Sequence, residues 1–203
     1  MSLQTWLTFC VTETVLCFIP GPAVLFVVSV ALARGTRPGL AAATGILIAN
    51  AFYFALSATG VAAAILASSE LFTALRWLGT AYLVWLGLRM LFARRDAAAV
   101  AAPAAVQRSL LRGVIVQGAN PKALLFFIAL LPQFIDAASS VGLQIFVLGI
   151  SSVVIEFVVL SLYVVLAVRA RRVAGTRFAA PLERVGGGLL LAAGARLALT
   201  RSQ

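Results

Sequence analysis

Six apolar runs, each long enough to cross a lipid bilayer, constrain this chain more than any other feature of its sequence. A membrane-spanning helix needs about 20 mostly apolar residues. The runs extend over Leu3–Ala33, Leu40–Ala67, Leu71–Ala93, Leu110–Ile135, Val141–Val168 and Leu182–Leu199. With 63% hydrophobic and only 11% charged residues, the chain lacks the charge that covers a soluble domain. We therefore predict an all-α integral membrane protein with six transmembrane helices.

Arginines between the runs predict the orientation of these helices. They concentrate in the first, third and fifth connections, at positions 34, 37, 94, 95, 108, 112, 169, 171, 172 and 177. Short cytoplasmic loops are enriched in arginine and lysine. We expect a multi-pass protein of the bacterial inner membrane, with arginine-rich loops in the cytoplasm and both termini in the periplasm. The net charge of +10 forms no continuous basic face, which argues against a nucleic-acid partner.

Several kinds of chemistry are excluded by residues that the chain lacks. It contains no histidine, which removes Ser-His-Asp catalysis and most zinc sites. Its two cysteines, Cys10 and Cys17, fall in one apolar run, where a single helix cannot bring them into disulfide distance. We predict no catalytic residues, no bound metal and no cofactor.

The runs divide into two groups of three that resemble each other. The third and sixth share a spacing of leucines and glycines, in which Leu75, Gly79, Leu83 and Gly87 correspond to Leu182, Gly186, Leu190 and Gly194. Repeats of three spans must enter the membrane in opposite directions, which is the inverted-repeat plan of many transporters. We predict one domain over residues 1–203, with repeat one at 1–95, a basic cytoplasmic loop at 94–109 and repeat two at 110–203.

Proline interrupts the first and fourth runs near their middles, at Pro20-Gly21-Pro22 and at Asn120-Pro121. Proline has no N–H to donate to the preceding turn, so each break frees backbone carbonyls. In hydrocarbon a freed carbonyl must face protein, water or a ligand. A simple helix kink is the plainer alternative. Two breaks at corresponding places favour a substrate site, and we predict that both helices are broken there.

Ionisable and amide side chains accompany the breaks. Lys122, the only lysine of the chain, follows Pro121 directly, and Glu13 and Glu156 lie inside other apolar runs. Such residues within a membrane are costly and usually functional. A structural ion pair between helices is the alternative. We predict substrate binding by the first break and by Lys122 with its neighbours, namely Pro20, Gly21, Pro22, Asn50, Gln117, Asn120, Pro121 and Lys122. Glu13 and Glu156 are predicted to couple protons or to pair with cations.

At these residues the sequence resembles the LysE/RhtB family, the exporters of lysine, homoserine, threonine and related amino acids. The resemblance covers nearly the whole chain and consists of short pieces in a fixed order. They are Pro20-Gly21-Pro22, Gly35 and Gly39 with Thr44-Gly45, the segment Leu75 to Gly87, Asn120-Pro121-Lys122-Ala123, Phe126-Phe127, Leu131 to Phe134, and Glu156 with Tyr163.

The resemblance implies efflux of amino acids or small derivatives from the cytoplasm, driven by proton entry, with no organic cofactor. It carries over both proline motifs and Glu156, whereas Glu13 and Asn50 are not general to the family. Because 203 residues is short for a transporter, a homodimer is a candidate assembly. Alternatives are an exporter of a metal ion or another small solute, held by Cys10, Glu13 and Cys17 on one helix face, and a membrane-embedded enzyme or lipid-handling protein.

Overall fold

The computed structural model describes residues 1–59, 103–136 and 138–174, together with six single positions. These positions are Trp77, Ala81, Val84, Trp85, Leu88 and Gly188. Within the described ranges every regular element is helical, which confirms the all-α prediction for that part of the chain. The helices are α1 (Leu3–Phe18), α2 (Pro22–Arg34), α3 (Thr36–Ala58), α4 (Pro103–Gly118), α5 (Pro121–Leu125) and α6 (Val141–Ala174).

Helices α1 and α2 meet at an angle of 53° around Pro20. α1 begins where the Ser2 hydroxyl accepts the backbone N–H of Thr5 at 3.1 Å. It ends at Phe18, and Ile19 is already extended. Pro22 is the first residue of α2, where the fixed φ of proline suits a helix and its missing N–H removes no bond. The first predicted span is therefore two helices joined by Ile19, Pro20 and Gly21.

Gly35 alone joins α2 to α3. Its φ of +89° lies in a region that side chains with a Cβ rarely adopt, which explains glycine at this position. We predicted a connection from Arg34 to Gly39, but α3 already begins at Thr36. α3 can start at Thr36 because Gly35 alone makes the connection from α2.

Two further boundaries differ from the sequence prediction. α4 begins at Pro103, inside the basic loop that we predicted at 94–109, because proline and the alanines after it favour the first turn of a helix. α6 continues to Ala174, beyond the end of the predicted fifth span at Val168. Its last turn contains Arg171 and Arg172, whose charge is favourable at a helix C-terminus.

The segment after α4 passes through three helical forms. α5 passes into a π-helical turn at Phe126–Leu130 and then a 3₁₀ turn at Leu131–Phe134. The following loop is tied by Asp136, whose carboxylate accepts the N–H of Ala138 at 2.9 Å and the hydroxyl of Ser139 at 3.0 Å. These hydrogen bonds to the exposed carboxylate lower the pKa of Asp136 below its ordinary value.

α3 and α4 cross with their backbones almost touching. A Cβ at Gly45 would lie 2.0 Å from the carbonyl oxygen of Leu110, and one at Gly113 would lie 2.2 Å from that of Ala42. Only glycine permits this approach, as in other helix pairs within membranes. The crossing fixes the position of the second break relative to α3.

Two described helices are long and apolar enough to cross a bilayer, Thr36–Ala58 and Val141–Val173, and the bent pair α1–α2 adds a third if it forms one span. These helices fit a membrane protein. The predicted third and sixth spans, Leu71–Ala93 and Leu182–Leu199, lie outside the described residues apart from the single positions, as do the residues that suggested the repeat. The fourth predicted span, Leu110–Ile135, is divided between α4, α5 and the two turns after it.

The described core consists of two apolar clusters, and several polar side chains are buried with them. One cluster includes Val27, Ala42, Ile46, Val116, Leu160 and Val164, and the other Phe9, Phe54, Phe127, Phe134 and Leu148. The buried polar residues that bear on the site come from α1, α3, α4, α6 and the second break. They are Glu13, Asn50, Gln117, Asn120, Ser152 and Glu156, which we call the polar layer.

Candidate functional site

The first break, at Ile19 to Gly21, interrupts the regular hydrogen bonds of α1, and the carbonyl of Leu16 accepts the N–H of Ile19 at 3.2 Å instead of one from residue 20. Pro20 and Pro22 have no N–H for the carbonyls of Leu16 and Phe18. Side chains from distant helices bond to both. The Lys122 ammonium donates to Leu16 and, at 3.0 Å, to the carbonyl of Ile19. Tyr163 donates its hydroxyl to Phe18 at 3.0 Å.

The second break, at Ala119 and Asn120, is capped mainly from within its own segment. The N–H of Asn120 donates to the carbonyl of Gln117 at 3.0 Å. The Asn120 side chain accepts the N–H of Lys122 at 3.1 Å and so caps α5. One side chain comes from elsewhere: the Tyr53 hydroxyl donates to the carbonyl of Gly118 at 2.7 Å.

Each break is therefore held by a tyrosine from the long helix of the other half of the sequence. Tyr163 of α6 reaches the break between α1 and α2, and Tyr53 of α3 reaches the break between α4 and α5. Both tyrosines donate to a carbonyl that lies two or three residues before a proline. Each half of the chain thus contributes one tyrosine to the break in the other half.

A chain of amide side chains joins the second break to Glu156. Asn120 Nδ2 donates to Gln117 Oε1 at 2.9 Å, and Gln117 Nε2 donates to Asn50 Oδ1 at 2.7 Å. Asn50 Nδ2 then donates to Glu156 Oε2. We call this series the amide relay.

The direction of the amide relay is fixed at its start. Asn120 Oδ1 must accept, because its partner is a backbone N–H, which can only donate. The Asn120 amino group therefore donates, and the same constraint passes through Gln117 and Asn50. Glu156 must present an acceptor oxygen to Asn50, which a carboxylate does with either oxygen.

Glu13 belongs to the same polar layer as Glu156. Ser152 donates its hydroxyl to Glu13 Oε1 at 2.5 Å, and Ser152 lies one helical turn before Glu156 on α6. The exposed fractions of Glu13 and Glu156 are 6% and 8%. Both carboxyl groups are close enough to Lys122 for their charges to interact with its ammonium.

The predicted site residues therefore fall into two connected groups. Lys122 joins the first break, where Gly21 lies against its aliphatic stem, 3.5 Å from Cδ to the position of an added Cβ. Pro20 is exposed and Pro22 is buried, while Pro121 is the first residue of α5. The amide relay contains Asn50, Gln117, Asn120 and Glu156, and Glu13 lies beside it with its hydrogen bond from Ser152.

Sequence reasoning missed Tyr53 and Ser152. Tyr53 lies three residues after Asn50, and Ser152 four residues before Glu156, so each shares a helix face with a predicted residue. That spacing is the signal that could have indicated them. Tyr163 was quoted only for the family resemblance, without its contact to Phe18.

The two breaks differ in how far their residues are exposed. Phe18 and Ile19 are about half exposed, so the carbonyls that bind Lys122 lie next to open space. Gln117 and Asn120 are buried at 4% and 3% exposure. Residues of the first break are therefore partly exposed, whereas the side chains of the second break are packed and hydrogen-bonded.

A separate groove of about 600 Å³ runs between α1 and α6. Its walls are mostly apolar and include Trp6, Val11, Val15, Ile150 and Val154. Trp6 Nε1 donates across it to the hydroxyl of Ser151 at 3.0 Å. Among the described residues that line it there is no carboxylate or ammonium, so the groove lacks the groups that would recognise a charged solute.

The family model and the relatives found by comparison with known proteins agree with each other. The family model described as LysE type translocator matches residues 14–201. A leucine efflux protein of Klebsiella pneumoniae is 34% identical over 197 residues, covering 93% of this chain and 90% of that protein. A homoserine/homoserine lactone efflux protein of Salmonella typhimurium is 29% identical, with 99% of both chains covered.

An uncharacterized membrane protein of Vibrio cholerae is 33% identical over the full length of both chains. No solved structure matches the chain significantly. The family model spans nearly all of the sequence, including both breaks, Lys122 and Glu156. This chain belongs to the LysE-type translocator family.

Proposed function

We propose that this protein is a bacterial inner-membrane transporter that exports amino acids or small derivatives from the cytoplasm in exchange for protons. The family and the efflux proteins named among the relatives support amino-acid export. They also favour a transporter over an enzyme. The observation that carries the proposal is the Lys122 ammonium held on freed carbonyls, within electrostatic reach of two buried carboxyl groups.

The cargo of such a site is a zwitterion. Its carboxylate would face Lys122 and the N-terminus of α2, which begins at the first break and carries a partial positive charge. Its ammonium would face the carbonyls of Leu16 and Ile19 and the carboxyl group of Glu13. A branched aliphatic amino acid such as leucine or a polar one such as homoserine has both charged groups on one carbon atom and satisfies both ends of the site.

Proton coupling is assigned to Glu156, with Glu13 as a second acid. Glu156 is buried, yet it is connected to the second break through the amide relay. Protonation removes the charge that the relay faces and weakens its last hydrogen bond, since charge-assisted bonds are about twice as strong as neutral ones. The state of this carboxyl group would thereby reach the backbone break at Asn120.

We propose that the chain forms two inverted repeats of three helices, with the arginine-rich loops in the cytoplasm and both termini in the periplasm. The reciprocal tyrosine contacts support the repeat, because each half of the chain stabilises the break of the other half. Alternating access in such folds comes from rocking one repeat against the other. Two copies of the chain would form the assembly in the membrane.

Efflux from proteoliposomes tests the function. Vesicles containing the purified protein are loaded with labelled L-leucine or L-homoserine, and the outside is acidified. We expect loss of label that is faster than in protein-free vesicles and that slows when a protonophore collapses the gradient. A Val154→Ala variant, altered at an exposed position of α6, should keep the full rate. Loss at the rate of protein-free vesicles for both solutes would contradict the proposal.

A further inference from the structure

The Lys122 ammonium occupies a site whose groups suit any primary ammonium. The carbonyl oxygens of Leu16 and Ile19 each accept a hydrogen bond from it. The carboxyl group of Glu13 lies on the same helix, one turn before Leu16, and interacts electrostatically with the lysine. Carbonyls freed by a helix break and a nearby acid are the groups that bind the ammonium of an amino acid.

Lys122 and a cargo ammonium cannot occupy these carbonyls together. The two cations would repel each other, and the site offers the same oxygens to both. A cargo ammonium must therefore displace Lys122. The displaced lysine then needs a new anionic partner, because an unpaired ammonium inside the membrane is costly.

An amino acid supplies that partner itself. Its carboxylate is bonded to the carbon that bears its ammonium, so the same molecule that takes the carbonyls can receive Lys122. An amine without a carboxylate can take the carbonyls but leaves Lys122 unpaired. A carboxylic acid without an amine has no ammonium to place on the carbonyls of Leu16 and Ile19, so Lys122 stays on them and offers the acid only its remaining N–H.

We propose that Lys122 is a built-in substitute for the cargo's ammonium, displaced only by molecules that carry both an ammonium and a carboxylate. The inference rests on the proposed function, since it assigns the cargo to the first break. It explains how a site with carbonyls beside open space selects zwitterions and remains closed to simple cations when empty. Lys122 is thus a specificity residue and not only a partner for the carboxylate.

The composition of the chain provides a direct readout. Lys122 is the only lysine among 203 residues, so protein made with 15Nζ-lysine gives one side-chain amine resonance. We expect L-leucine to shift this resonance in the wild-type protein in detergent micelles. L-leucinol, which keeps the amine and replaces the carboxylate by an alcohol, should leave it unchanged at the same concentration. 4-Methylpentanoate, which keeps the carboxylate and lacks the amine, should shift it less than leucine does, because Lys122 stays on the carbonyls.

A Lys122→Met variant supplies the complementary test. With the ammonium removed and the stem kept, L-leucinol should stabilise the variant against thermal unfolding at a concentration roughly tenfold or more below that needed for the wild type, a coupling of the usual size between linked sites. If leucinol binds both proteins equally, or shifts the wild-type resonance as leucine does, Lys122 is no substitute for the ammonium. The inference also fails if wild-type vesicles export leucine while leucine leaves the resonance unchanged.

The proposed function can fail separately, since it concerns efflux. Wild-type vesicles that release neither leucine nor homoserine would overturn the export proposal by themselves. Should the Lys122→Met variant not fold, the wild-type resonance measured with leucine, leucinol and 4-methylpentanoate still decides whether the inference holds.

Discussion

The two helix breaks solve the same backbone problem in different ways. At the first, between α1 and α2, the freed carbonyls bond to Lys122 and Tyr163, and Phe18 and Ile19 are about half exposed. At the second, between α4 and α5, Asn120 caps its own helix and is buried with Gln117 in the amide relay. The first break is held by side chains from α5 and α6, whereas the second is held mainly by its own segment. In the proposed mechanism the first break binds the solute and the second transmits the state of Glu156.

Replacing Lys122 should have the largest effect on transport. A Lys122→Ala variant loses the ammonium that pairs with the carboxylate of the cargo in the proposed site, a charged interaction worth about 1.5–3 kcal/mol, so we expect efflux of leucine to fall roughly ten- to hundredfold. Lys122→Arg keeps the charge on a planar group that fits two carbonyls less well, and it should lose less. Initial efflux rates from proteoliposomes measure both variants. Equal rates for Lys122→Ala and wild type would contradict the assignment of solute binding to the first break.

Replacing Glu156 should separate coupling from binding. A Glu156→Gln variant can still accept from Asn50 through its amide oxygen, so the amide relay survives without the charge. We expect efflux that no longer responds to a pH gradient, with the rate at neutral pH reduced about tenfold, or about 1.4 kcal/mol in the barrier. Measuring the rate at several external pH values tests this, and an unchanged pH response would remove Glu156 from the coupling.

Breaking the amide relay should affect folding more than binding. An Asn50→Leu variant leaves Gln117 Nε2 without its acceptor, and a buried polar group left unsatisfied costs about 1–3 kcal/mol. We expect a lower midpoint of thermal unfolding in detergent. Phe52→Ala, altered at an exposed position of α3, should change the midpoint less. If the unfolding midpoint of Asn50→Leu did not change, the amide relay would not be what holds the second break in place.

The two tyrosines offer the smallest and most discriminating comparison. Removing one hydroxyl deletes one neutral hydrogen bond, worth about 0.5–1.5 kcal/mol. Tyr163→Phe frees the Phe18 carbonyl at the first break and should change the half-saturating concentration of leucine severalfold. Tyr53→Phe frees the Gly118 carbonyl at the second break and should leave that concentration unchanged. If Tyr53→Phe changed that concentration and Tyr163→Phe did not, the solute would bind at the second break and not at the first.

Much of this arrangement could be predicted from the residues themselves. Proline and glycine within apolar runs indicated where α1 and α4 end, since the loss of an N–H is a local property. Lys122, Glu13 and Glu156 were identified because a charged side chain within an apolar run needs a partner wherever it lies. These arguments require no knowledge of which helix faces which.

The remaining features depend on contacts between distant segments. The sequence contains Tyr53 and Ser152, but their partners Gly118 and Glu13 are known only once α3 meets α4 and α1 meets α6. The crossing of Gly45 over Gly113 likewise appears only when the two backbones approach. The bounds of α4 and α6 were missed because they were placed at the ends of apolar runs, whereas Pro103 at one end and Arg171 and Arg172 at the other extend these helices beyond the runs.

Protection of a thiol at each break tests the central claim, that the cargo binds at the first. Cys17 lies next to Leu16, and a Cβ at Gly118 has open space within 4 Å, so Gly118→Cys should fit. A Cys10→Ser variant carries its thiol at the first break, and a Cys10→Ser, Cys17→Ser, Gly118→Cys variant at the second. We predict that leucine slows modification of Cys17 by a thiol reagent and leaves the second thiol unaffected. Protection at the second break alone, in variants that still export leucine, would contradict the account.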